Sequence, residues 1–91
     1  MSYTVVWRAS AEAKLAELWL ASPARDEIAA AADEIDERLR QSANEQGESR
    51  WGTTRILIKS PLAVYFDVSE EDRQSSVWAV WLVRREPGQR R

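Results

Sequence analysis

The chain has 91 residues, 44% of them hydrophobic and five of them tryptophan, enough apolar surface for one domain with a core of its own. It contains no cysteine, which excludes disulfides and thiolate metal sites, and no histidine, which excludes imidazole chemistry. The net charge of −2 is unevenly divided: residues 1–49 carry five Lys/Arg against ten Asp/Glu, and residues 50–91 carry eight against five. That balance argues against non-specific nucleic-acid binding by the whole surface and leaves room for a localised basic site. The opening MSYTVVWRAS has no charged leader followed by an apolar core, and no apolar run approaches the roughly 18 residues of a membrane span. A cytoplasmic location without membrane contact is expected.

In chain order, YTVVWR (residues 3–8) is short, β-branched and aromatic, the composition of a strand. Ser10 is placed to cap a helix over 11–21, with Leu15, Leu18 and Trp19 on one face. Ser22-Pro23 ends it and opens a second helix, Ser as N-cap and Pro at the first helical position, with Asp26 and Glu27 in the first turn. Ile28, Ala32, Ile35 and Leu39 carry that helix to about 42. The tight junction makes the pair an antiparallel hairpin. ANEQGESRWGT (43–53) has two of the three glycines and no periodicity, and reads as a loop. Strands follow at 54–59, 62–68 and 76–83, joined by Ser60-Pro61 and by SEEDRQ. The expected fold class is α+β: an N-terminal strand, an antiparallel two-helix hairpin, then a three-stranded antiparallel sheet, with the hairpin on one face. The domain fills 1–91, with 87–91 as a flexible tail.

Strand alternation divides each strand between two faces. Ile56 and Ile58, and Leu62, Val64, Phe66 and Val68, form wholly apolar sets and are expected to meet the helices. Arg55, Leu57 and Lys59, and Ala63, Tyr65 and Asp67, are expected to face outward. The last strand, SVWAVWLV, is apolar on both sides, which suits a central strand or one whose second side is covered by something else. With Trp78 as the core partner, Trp81, Val83 and Arg85 would share the open face with Tyr65, Arg55 and Lys59. The outer side then reads as a binding surface with arginines at its edge.

These elements, and above all the run TTRILIKSPLAVYFDVSEEDRQSSVWAVWLVRRE, resemble the RelE/ParE superfamily of type II toxins over about residues 3–86. The resemblance lies in the helical hairpin after the first strand, an R-I-L-I-K strand, a turn, an aromatic strand, an acidic hairpin and an apolar strand closing on basic residues. It implies a small toxin neutralised by a cognate antitoxin, acting either on mRNA at the ribosome or on DNA gyrase. Arg55 and Lys59 match the basic positions of the family's second strand, and Arg84-Arg85 the closing pair. Two departures stand out: Ala63 where RNA-cutting relatives often carry arginine, and no Tyr or His in EPGQRR.

Metal-free RNA cleavage needs a base for the 2′-hydroxyl, an acid for the leaving oxygen and cations on the phosphate. Arg55, Lys59, Arg84 and Arg85 are the candidate cations; Tyr65 or Glu48 would move protons. Glu48 and Arg50 of GESR offer a carboxylate and a guanidinium at the sheet edge, against the plainer reading of a surface ion pair. Trp81 is the aromatic candidate for target binding. Arg55 and Lys59 read equally as a solvated strand face, and Tyr65 as a packed ring with a wet hydroxyl. Asp33, Asp36 and Glu37 form a helix's solvated side rather than a metal site, and no cofactor motif is present. Two other readings stay open: a non-enzymatic inhibitor of a macromolecular target, and a non-toxic binding module that keeps the scaffold.

Overall fold

A computed structural model describes residues 2–83, running from β1 (Thr4–Trp7) through α1 (Ala9–Ala21) and α2 (Arg25–Ser42) to a 3₁₀ turn (Ala43–Glu45). Four strands complete it: β2 (Glu48–Trp51), β3 (Thr54–Lys59), β4 (Leu62–Ser69) and β5 (Gln74–Leu82). The α+β class and the helical hairpin are as expected. The sheet is larger: five strands in the order β1-β5-β4-β3-β2, with β1 parallel to β5 and the other pairs antiparallel.

The extra strand comes from the stretch expected to be a loop. Gly47, at φ +66°, turns the chain into β2, and Gly52, at φ +55°, opens the two-residue loop that returns it to β3. A glycine with positive φ at the first loop position is what a tight hairpin of this kind requires. With no apolar alternation in ESRW, a fully exposed edge strand left no periodic signal.

The helix caps also differ. α1 starts at Ala9, so Ser10 lies inside it, and no side chain caps either helix. Pro23 lies outside α2; the Ser22 hydroxyl instead accepts a hydrogen bond from the Ala24 amide at 2.9 Å, holding the turn between the helices.

Both helices cover one face of the sheet. Ile28, Ala31, Ile35 and Leu39 of α2 and Ala11 of α1 pack with Leu57, Leu62, Val64, Phe66, Val77 and Val80 in a continuous core, with Val5, Trp7, Leu15 and Leu18 at its margin. Register fixes which residues share that face: Leu57 lies opposite Val64, and Val64 opposite Val80. The inward residues of β3 are therefore Arg55, Leu57 and Lys59, and Ile56 and Ile58 point to the open side, the reverse of the expectation. The apolar pair lost the contest because β3 lies near the sheet edge. There the helices cover only the middle of its inner face, which takes Leu57, while Arg55 and Lys59 reach past it with their charged ends.

Candidate target-binding face

The open side of the sheet is aromatic. Ile56 lies opposite Tyr65, and Ile58 and Trp81 lie on either side of Ala63. A β-bulge in β5 then places an extra residue, Trp78, between the Tyr65–Ala79 and Phe66–Val77 pairs. The bulge delivers Trp78 to the open face too, so Trp78 is not the core partner expected; Val77 and Val80 fill that role. The Tyr65 ring becomes the hub of a cluster. It stacks on Trp78 with centroids 5.2 Å apart, meets Trp81 at 4.8 Å and Trp51 edge-on at 5.3 Å. Such ring pairs contribute about 0.5–1.5 kcal/mol each beyond the area they bury. The cluster shields Ile56, only 9% exposed on a face no helix covers, while Trp51 remains 55% exposed and Ile58 is exposed.

One end of this face is polar. Thr54 and Asp67 are cross-strand partners, and the Thr54 hydroxyl donates to Asp67 at 2.6 Å. Arg8 lies 3.5 Å from the other oxygen of Asp67. At the β2 edge Arg50 and Glu48 stand 3.9 Å apart, and Glu48 is 80% exposed, so the pair is worth about 0–1 kcal/mol. Each of these open-face cations thus has an acidic partner on the same face.

The candidates from the sequence are not brought together. Tyr65, Trp81, Glu48 and Arg50 lie on or beside the open face. Arg55 and Lys59, expected beside them, are on the helix side. The Arg55 Nε donates to the Gln46 carbonyl at 2.7 Å and its Nη2 to the Gly47 carbonyl at 3.1 Å, pinning the chain that enters β2. Lys59 Nζ lies 3.4 Å from Glu34 Oε1, tying the end of β3 to α2. Glu34 also accepts from Arg38 at 2.7 Å; that bond holds its carboxyl below the usual carboxylate range, against an upward push from partial burial and with a further lowering from Lys59. Val83 lies past β5, its amide donating to the Pro61 carbonyl at 2.7 Å. Arg84 and Arg85, and the tail expected over 87–91, lie outside the described residues. Two members of the cluster went unforeseen, Trp51 and Trp78. The first was legible as a tryptophan beside the glycine of a tight turn; the second depends on a bulge that no sequence pattern announces.

Among the described residues no group of three or more acidic side chains could hold a metal ion, and no helix is long and apolar enough to cross a membrane.

A strand, a helical hairpin and an antiparallel meander whose last strand returns beside the first define the RelE/ParE toxin fold, and this chain has it. Three solved structures make the match. The toxin–antitoxin complex RelBE2 of Mycobacterium tuberculosis has a chain that superposes with a TM-score of 0.72 at 19% identity, covering 90% of this chain and 99% of its own. A chain of the chromosomal ParDE system of P. aeruginosa gives 0.66 at 20% identity, covering 91% and 98%. The isolated RelE toxin of E. coli gives 0.59 at 17% identity, covering 96% and 90%. No protein-family model and no curated protein sequence matches the chain.

Proposed function

We propose that this protein is the toxin of a type II toxin–antitoxin pair, and that it acts by binding its target through the open sheet face rather than by cutting RNA. The observation that carries this reading is the Trp51–Tyr65–Trp78–Trp81 cluster on a face that, among the described residues, neither helix covers. Clustered Trp and Tyr side chains dominate binding energy wherever they meet a partner. The orientation of Arg55 and Lys59 supports binding over cleavage, since both are occupied on the helix side with Gln46, Gly47 and Glu34. Phosphoryl chemistry would have to draw its cations from elsewhere, Arg84 and Arg85 being the sequence candidates. A cognate antitoxin is the expected protein partner, gyrase a candidate target, and the cytoplasm the compartment.

A ribosome-dependent mRNA endonuclease is the second reading. It is favoured by Tyr65 and Glu48, the two proton-transfer candidates, both lying toward the open face. One experiment separates the readings: mRNA end-mapping in a bacterial translation reaction, with gyrase supercoiling assayed in parallel. The binding reading expects intact mRNA together with growth arrest on expression, relieved by the antitoxin. New cuts inside translated codons, lost in Arg85→Ala, would establish the nuclease. Normal growth at high expression would leave only the inert scaffold.

A further inference from the structure

β2 ends the sheet. It pairs with β3 alone, and its four residues, Glu48–Trp51, are all exposed, so one row of backbone N–H and C=O groups faces away from the sheet. Natural edges are closed to other strands by bulges and by charge, and β2 has both: a bulge between Ser49 and Trp51, and the side chains of Glu48 and Arg50. These two charges are opposite in sign and stand two positions apart. Within the chain they meet only weakly, at 3.9 Å, with 80% of the Glu48 side chain and 41% of the Arg50 side chain exposed. Such an edge mismatches most strands and suits one that presents the same charges in reverse order. A second copy of β2, antiparallel about a two-fold axis at Ser49, is such a strand. It sets Glu48 opposite the partner's Arg50, and Trp51 opposite the partner's Gly47, where no side chain meets the ring. An axis at Glu48 or at Arg50 would oppose like charges, and an axis between residues would set each charge against a neutral residue.

We infer that two copies of this chain associate edge to edge through β2, in the antiparallel register centred on Ser49, joining their five-stranded sheets into one. Backbone pairing alone would accept several registers on so short a strand; the Glu48 and Arg50 charges select one. Opposed residues of an antiparallel pair point to the same side, so both open faces lie on one surface of the joined sheet, with an aromatic cluster on either side of the axis. Four residues a side fall well short of the roughly 800 Å² per partner of a standard interface, so the association is weak and depends on concentration. The inference concerns the edge of the sheet rather than its face, and it stands whether or not the chain arrests growth.

The test is sedimentation velocity of the full chain alone, from about 5 to 500 µM, the range in which a small interface shows. The average mass is expected to rise with concentration from that of one chain toward that of two. Glu48→Arg and Arg50→Glu each bring like charges face to face across the axis, and each is expected to raise the dissociation constant more than about tenfold. Both positions are exposed on an edge strand, and far-UV circular dichroism of the variants checks their folding. The decisive sample is an equimolar mixture of the two variants. One then carries only cations at 48 and 50 and the other only carboxylates, so the same register pairs them and the dimer is expected to return, an outcome that a folding defect does not produce. A native chain that stays monomeric throughout would overturn the inference. So would a dimer that neither substitution weakens, since its contact then lies elsewhere, and so would two monomeric variants that remain apart when mixed.

Discussion

Gly47 and Gly52 are the same residue in the same backbone region, at φ +66° and +55°, flanking the four-residue strand that carries Trp51. An alanine at either pays for the left-handed conformation, about 1–2 kcal/mol. The surroundings then separate them. A Cβ on Gly52 meets nothing within 4 Å, whereas one on Gly47 would lie 2.0 Å from the Ile56 carbonyl oxygen and 2.8 Å from its carbon. Non-bonded contacts to a Cβ do not fall below 3.0 Å, so β2 must move from β3 by about 1 Å. That movement strains the Glu48–Ile56 and Ser49–Arg55 pairings and the two Arg55 bonds to the Gln46 and Gly47 carbonyls. Hydrogen bonds to charged groups contribute about 1.5–3 kcal/mol each, and partial relaxation recovers some of that. Gly52→Ala should therefore cost about 1–2 kcal/mol and Gly47→Ala about 3–5 kcal/mol. Urea denaturation of the two variants measures the difference; in melting temperature it amounts to more than about 8 °C for a domain of this size. Two variants within about 1 kcal/mol of each other would refute the close approach of Gly47 to β3.

Two further outcomes are expected. Arg55→Ala should lower stability by about 2 kcal/mol through the loss of its two carbonyl bonds; unchanged urea stability with lost activity would return Arg55 to the target site. Glu34→Gln should be less stable than the native chain at neutral pH, by a margin that closes in acid. Glu34 titrates below its ordinary value of 4.5 in the folded state, so its contribution is present above that value and disappears as pH falls through the folded one. Melting temperatures followed from pH 7 downward would show the two proteins converging, and a constant gap would exclude the charge as the cause.

Most of the architecture was legible because most of it obeys a period. The helical stripe of Ile28, Ile35 and Leu39 is buried as its spacing requires, and the alternation of Leu62, Val64 and Phe66 sends all three under the helices. β3 misled because TRILIK offers two apolar sets, Ile56/Ile58 and Leu57 alone. Alternation identifies the sets without saying which one meets the helices, and the choice falls to strand order, a tertiary fact. The same reversal moved Arg55 and Lys59 out of the site. In β5 the continuous apolar run correctly signalled a strand between two others, but the extra residue at Trp78 shifts the phase midway. Ser75 and Val77 before it and Val80 after it are all buried, and simple parity cannot place them together. Tyr65 and Trp81 were found because they sit on the regular side of that shift.

The pairing of β1 with β5 bears on the order in which the molecule can assemble during synthesis. Thr4 has its strand partner in Gln74, seventy positions later, and α1 packs against β5 as well. Until residues 74–82 have been made, the first strand has no neighbour in the sheet and the first helix lacks its main bed. The β2–β3–β4 meander can form earlier from local contacts, but it lacks Trp78 and Trp81, so the aromatic face is still half-built. Because β5 supplies two of its four rings, the surface proposed to engage a target is complete only once β5 has joined the sheet between β1 and β4.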